Sequence, residues 1–248
     1  MIRRFVERVL KRNGFRLART STGFSRQELA VMRQVAGLTA TSPERVVAVL
    51  DAVRYVTTNQ IPGAIVECGV WRGGSIMAAM IGLIEAGDTT REIYLYDTFE
   101  GMPPPSEEDV MFNGTKAEAL LRKEAKQEDV GNCWCYASLA TVQKHVMRTG
   151  YPETKTHFIK GKVEDTLPTT APDKIALLRL DTDWYESTKH ELEHLYPRLV
   201  DKGVLIIDDY GHWNGARRAV DEYFSSQSYR PLLTRLDYTG RMMVKPHG

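Results

Sequence analysis

Val66-Glu67-Cys68-Gly69-Val70-Trp71-Arg72-Gly73-Gly74-Ser75 decides the fold. An apolar run ends in an acid, glycines 69, 73 and 74 follow, and from Ser75 onward the sequence has the character of a helix, so the segment reads as strand, turn, helix. Glycines at such a turn let a ligand come close to the backbone, and the helix N-terminus favours anionic groups. The spacing Gly69-x-x-x-Gly73-Gly74 is not the G-x-G-x-x-G of dinucleotide binding, which disfavours NAD. Glu67 points the same way, because a carboxylate at the mouth of the turn repels a pyrophosphate but welcomes the ammonium group of an amino-acid moiety. The plainer alternative is an acid that only caps the turn.

Outward from this point, strand and helix alternate at the rhythm of a parallel sheet. Strands are expected at about Ala64–Cys68, Glu92–Asp97, Thr156–Lys160, Ile175–Asp181 and Gly203–Asp208. Helices are expected near Ser75–Glu85, Leu139–Met147, Ser187–Val200 and Gly215–Ser225, and a terminal hairpin pairs Arg230–Arg235 with Arg241–Lys245. Upstream, Ser42 followed by Pro43 has the form of an N-cap and first helical residue, opening a helix whose apolar side includes Val46, Val49, Leu50, Val53 and Val56. The stretch from Asp97 to Cys133 breaks the rhythm with Met102-Pro-Pro-Pro105, an acidic run and a short polar helix, a length typical of a lid or binding loop.

The chain has 248 residues, 42% hydrophobic and 26% charged. That suits one α/β domain with a real core and excludes global disorder. Runs such as Gly203-Val-Leu-Ile-Ile207 fall far short of the roughly 20 apolar residues that cross a bilayer. Cys68, Cys133 and Cys135 give no disulfide framework, and with no signal-peptide core at the N-terminus a cytoplasmic location is expected. Seven basic residues stand among the first twenty against Glu7 alone, +6 of a whole-chain net charge of +1, which leaves −5 for the body. That balance argues against nucleic-acid binding. Ile2, Phe5, Val6, Val9 and Leu10 give Met1–Arg19 the spacing of a short amphipathic helix: an arm packing on the body or on another subunit, or touching anionic lipid.

Asp97 ends the second strand, where doubly wound folds place an acid that accepts from ribose hydroxyls, and Phe99 just beyond it is suited to lie against an adenine ring. With Glu67 and the glycine turn they outline a site for an adenosine joined to a charged amino acid, a description that fits S-adenosylmethionine. Asp181-Thr-Asp183 and Asp208-Asp209 close the next two strands and bring four carboxylates to one edge. Such a cluster calls for neutralisation, and Mg²⁺, which takes oxygen ligands, does this well. His212 and Trp184 are near in sequence; His212 is a candidate ligand or base, or a residue lining the pocket. Cys133-x-Cys135 lacks partners at zinc spacing, which argues against zinc.

The runs Ile61-Pro-Gly63, Glu67-Cys-Gly-Val-Trp-Arg-Gly-Gly-Ser75 and Tyr96-Asp-Thr-Phe-Glu-Gly-Met-Pro103 closely resemble the macrocin O-methyltransferase (TylF-like) family. So do Leu38–Arg45, Gly161–Leu167, Asp181–Thr188 and Asp208-Asp209-Tyr210, and the resemblance covers roughly residues 38–245. It implies a class I methyltransferase (Rossmann-like) fold: a seven-stranded, mostly parallel sheet with a C-terminal antiparallel hairpin and helices on both faces. An N-terminal basic arm with helices would span 1–37, and a methyltransferase domain 38–248, with its lid at about 101–135.

The implied reaction is Mg²⁺-dependent methyl transfer from S-adenosylmethionine to a sugar hydroxyl of a small glycoside, as expected of a soluble homo-oligomer. Glu67, Gly69 and Ser75 would hold the methionine end, Asp97 the ribose, and Thr98, Phe99 and Ser138 the adenosine. Asp181 would lie beside the cofactor and, with Asp208 and Asp209, bind the metal, and Asp183 would be the general base. Base and ligand roles are exchangeable at this stage. Two adjacent hydroxyls can chelate one ion, so a vicinal diol is the expected acceptor. A surface or lipid-linked glycan is the alternative acceptor, and a non-catalytic cofactor-binding scaffold the alternative function.

Overall fold

A computed structural model describes residues 23–128 and 132–247. The amphipathic stretch expected at Met1–Arg19 lies outside these residues. The elements run α1 (Arg26–Val35), α2 (Pro43–Thr58), β1 (Ala64–Cys68), α3 (Gly74–Glu85), β2 (Ile93–Asp97), α4 (Ala117–Leu121), α5 (Leu139–Val146), β3 (Thr156–Lys160), α6 (Val163–Thr166), β4 (Ile175–Leu180), α7 (Tyr185–Leu195), β5 (Leu199–Ile207), α8 (Asn214–Ser225), β6 (Thr234–Arg235) and β7 (Arg241–Val244). The sheet has seven strands in the order β3-β2-β1-β4-β5-β7-β6. β1 to β5 are parallel, while β7 runs antiparallel to β5 and β6 antiparallel to β7.

The central strands read as continuous apolar runs because both faces are covered. Val66, Leu178 and Leu205 point into a core built with Leu192 and Leu195 of α7 and Val220 and Phe224 of α8. Ile65, Leu177 and Ile206 point the other way, into a core built with Val49 and Val53 of α2 and Ile76 and Met80 of α3. α2 starts as its sequence requires, with Ser42 accepting from the Arg45 N–H and Pro43 in the first turn. α1 begins with a full capping box, Ser25 with Glu28, and sends Val31 and Val35 into the core shared with α2 and α3.

Three boundaries differ from the sequence expectation. The helix expected to reach Val200 stops at Leu195, because the chain turns through a single 3-10 turn that contains Pro197, which has no N–H to continue the ladder. β5 begins at Leu199 rather than Gly203: an irregularity in its pairing with β4 absorbs Asp201 and Lys202, the latter at φ 64°. The first hairpin strand shrinks to Thr234–Arg235. Among the described residues no helix is long and apolar enough to cross a membrane.

Candidate active site

The carboxyl ends of β1, β2, β4 and β5 meet around a cavity of about 370 Å³. Gly69 makes this convergence possible. It sits at φ 80°, and a Cβ there would lie 1.9 Å from the carbonyl oxygen of Asp181, so only glycine lets the exit of β1 pass against the exit of β4. Gly74 performs the same service at the start of α3, where a Cβ would stand 2.6 Å from the Leu38 carbonyl oxygen. Ser75, in the first turn of that helix, lines the cavity, and its Oγ is 3.2 Å from Thr39 Oγ1.

Glu67 is buried just behind the cavity and accepts from Arg179 Nη1 at 2.5 Å, while its Oε2 has no partner. Burial pushes its carboxyl up to about 7 against the pull of Arg179. Asp97 lines the cavity, and its carboxylate also shapes the turn. One oxygen accepts from the N–H groups of Val70 and Trp71 at 2.7 and 2.9 Å, and the other from that of Phe99 at 2.7 Å. Burial raises this carboxyl while the three backbone donors pull it down.

Thr98 lines the cavity too. Phe99, expected against an adenine ring, is 2% exposed, packs in the core with its ring 6.4 Å from that of Phe158, and does not line the cavity. Its backbone is left-handed, at φ 52°. Ser138 caps α5, accepting from the Thr141 N–H, and is likewise absent from the wall.

The carboxylates gather as the strand ends predict. One oxygen each from Asp181, Asp208 and Asp209 falls within 4.8 Å of the others. Asp183 stands beside them at φ 68°, and its carboxyl is raised well above the usual range by burial and then by Asp209. Asp181 is raised too, by burial first, with Arg179 opposing and Asp209 reinforcing the shift. Asp209 Oδ2 is buried with no partner. An all-oxygen donor set with surplus negative charge and one orphaned oxygen fits a hard divalent cation.

The sequence reading missed the cations that hold this cluster. Arg179 lies on β4 and reaches Glu67, Asp181 at 2.8 Å and Asp208 at 2.6 Å, and it donates to Thr41 Oγ1 at 2.8 Å. Arg45 of α2 pairs with Asp208 and, at 3.0 Å, with Asp237. A lone arginine inside the apolar strand Ile175-Ala-Leu-Leu-Arg-Leu180 was the available signal: buried on both faces, it had to be paired.

The segment expected to be a lid lines the cavity with Met102, Pro103, Met111, Leu120 and Cys135. Burial, then the nearby acids Asp183 and Asp181, pushes the Cys135 thiol up. Asp109 ties this segment to α7. One of its oxygens accepts from the Tyr185 N–H at the start of α7 at 2.8 Å, and the other takes the N–H and hydroxyl of Ser106. Trp184 donates to the Pro103 carbonyl at 3.0 Å and meets Trp213 edge-on. His212 lines the cavity with its Nδ1 3.0 Å from the Tyr238 hydroxyl, and burial lowers its pKa.

Comparison with known proteins shows the family and the fold. The model of the macrocin O-methyltransferase (TylF) family matches residues 3–245. The chain is 35% identical over 195 residues to the 8-demethyl-8-(2,3-dimethoxy-alpha-L-rhamnosyl)-tetracenomycin-C 4'-O-methyltransferase of Streptomyces olivaceus, covering 77% of this chain and 70% of that protein. It is 35% identical over 189 residues to the mycinamicin III 3''-O-methyltransferase of Micromonospora griseorubida, covering 76% and 70%. The solved structure of the O-methyltransferase NovP superposes with a TM-score of 0.72 at 31% identity, over 85% of this chain and 83% of that one. The chain therefore belongs to the macrocin O-methyltransferase family and is a methyltransferase of the class I fold.

Proposed function

We propose that this methyltransferase is Mg²⁺-dependent and uses S-adenosylmethionine to methylate a sugar hydroxyl of a glycosylated natural product, with a vicinal diol as the acceptor. The observation that carries this reading is the meeting of Asp181, Asp208 and Asp209 beside Asp183, at the edge of a cavity whose far side is the glycine turn. Relatives named for methylating sugars of antibiotics support the acceptor class.

Glu67, with a free buried oxygen, is the group suited to an ammonium, and Ser75 stands over the same recess. Asp97 and Thr98 offer polar atoms to a nucleoside along the next strand end. Asp181, Asp208 and Asp209 would hold Mg²⁺, which when bound supplies a Lewis acid that lowers the pKa of an acceptor hydroxyl and fixes its position. Asp183 would take the hydroxyl proton; its position two residues from Asp181 and within the same cavity supports that role. The expected lid would keep water from these groups with Met102, Pro103 and Met111.

The first test is calorimetric titration of S-adenosylhomocysteine into the protein in Mg²⁺ and then in EDTA, with NAD as control. Binding of the homocysteine compound and not NAD is expected, followed by methyl transfer to a diol-bearing glycoside in Mg²⁺ only. Failure to bind in either buffer overturns the cofactor assignment.

A further inference from the structure

Three aromatic rings meet at the mouth of the cavity, each from a different segment. Phe112 comes from the lid, His212 from the loop after β5, and Tyr238 from the loop between β6 and β7. The Phe112 ring lies 5.9 Å from His212 and 6.4 Å from Tyr238, and the last two lie 5.9 Å apart. His212 and Tyr238 line the cavity, with Phe112 just beyond them. Phe112 is 60% exposed and Tyr238 53%.

The rings are fixed although they face water. The Phe112 N–H donates to the His212 carbonyl at 2.9 Å and the Gly211 N–H to the Thr239 carbonyl at 3.0 Å. The Tyr238 hydroxyl lies 3.0 Å from His212 Nδ1. Thr239 Oγ1 donates to the backbone carbonyl of Asp208 at 2.8 Å, so the cluster stands on the backbone that carries the acids. Core packing does not explain this trio, because two of its members are mostly solvated. An aromatic patch held at the rim of a cavity that also receives the clustered acids marks a binding surface.

From this geometry, and resting on the sugar-methylation reading above, we propose that Phe112, Tyr238 and His212 form an aromatic rim that contacts the C–H face of the acceptor's pyranose ring. A pyranose ring presents a face of C–H bonds, whose weakly positive hydrogens suit the electron-rich faces of aromatic rings. The ring then lies beside Asp209, with its hydroxyl edge free to face the acids. In this arrangement Phe112 sets which sugars are accepted and takes no part in proton or methyl movement.

Saturation-transfer NMR on the full chain, saturated with S-adenosylhomocysteine and Mg²⁺, tests this with the methyl glycosides of L-rhamnose, L-fucose and D-quinovose as probes. At least one probe is expected to receive saturation, strongest at ring C–H protons. Phe112→Ala should lower that signal at least fivefold, Phe112→Trp should keep it within twofold, and calorimetry should find S-adenosylhomocysteine affinity within twofold of wild type in both. The proposal is overturned if the wild-type protein binds S-adenosylhomocysteine but saturates none of the three probes. It is also overturned if Phe112→Ala leaves the signal intact, or if it lowers the signal only by weakening S-adenosylhomocysteine binding or melting the fold. Absence of S-adenosylhomocysteine binding in wild type would instead strike at the methyltransferase cofactor assignment, a separate result.

Discussion

Arg179 donates to Oδ1 of Asp208 from 2.6 Å, so a cation in the middle of the sheet holds one of the three clustered acids in place. The same guanidinium reaches Asp181 and Glu67. Its side chain is 5% exposed, and those of Glu67 and Asp208 are 2% and 4%. Removing one partner of a buried ion pair leaves uncompensated charge, at a cost of about 3–5 kcal/mol. Arg179→Met should therefore lose about that much stability in urea unfolding. Arg179→Lys should fall between the two, because it keeps the charge and loses the planar fork. An unchanged midpoint for the methionine variant would mean that the acids find other counter-charges.

Asp209 behaves differently from its neighbour. Among the described residues no arginine or lysine forms an ion pair with it, and Asp181 and Asp183 are both pushed up by its charge. Without a cation it is a source of repulsion. Asp209→Asn should raise the melting temperature in EDTA by about 2–4 °C, the size of a 1 kcal/mol gain in a domain this large. Wild type should gain stability on adding Mg²⁺ by mass action, and the variant should not. Methyl transfer by wild type should stop in EDTA. Thermal scans of both proteins in EDTA and in Mg²⁺ check the pair of outcomes, and a Mg²⁺ response retained by the variant would remove Asp209 from the ligand set.

The sheet was legible because its signals are local. Apolar runs, glycine turns and the Ser42-Pro43 cap each act within a few residues, and Asp181, Asp183, Asp208 and Asp209 were foreseeable because parallel strands deliver their ends to one edge. Arg45, Arg179 and Asp109 were not foreseen, since each works across the fold: Arg45 meets Asp208 from 163 residues away, and Asp109 meets Tyr185 from 76. Phe99 shows the converse failure. Its position beside Asp97 suggested a wall of the site, but its ring packs in the core near Phe158, a contact that spacing along the chain does not reveal.

Glu67 should make cofactor binding depend on pH. Burial pushes its carboxyl up to about 7 in the free protein, and only the ionised form pairs with an ammonium group. Below that pH a proton must leave before the pair can form. Affinity for S-adenosylhomocysteine should therefore weaken as pH falls, by about tenfold per unit below 7. Calorimetry from pH 5.5 to 8.5, in buffers of different ionisation heat, should show protons released on binding at the acid end. Glu67→Gln should bind weakly with no such slope. A flat wild-type profile would place the ammonium elsewhere.

Glu191 offers a stability test separate from catalysis. It is fully buried on α7, accepts from Thr182 Oγ1 at 2.9 Å, and has no partner for its second oxygen. Burial raises its carboxyl well above the ordinary 4.5. In the unfolded chain the group ionises near 4.5, whereas in the folded protein it keeps its proton to much higher pH. The native state thus binds more protons, and its stability must fall as pH rises through the interval between the two values, by up to about 1.4 kcal/mol per unit. Glu191→Gln retains an acceptor for Thr182 and cannot ionise. Relative to wild type, its unfolding free energy should lose this slope, so that the two curves converge near pH 4 and the variant is the more stable protein at pH 8. Urea titrations at half-unit intervals measure the difference directly. Parallel curves would show that Glu191 is already ionised in the folded protein, and its second oxygen would then need a counter-charge or a water that this packing does not supply.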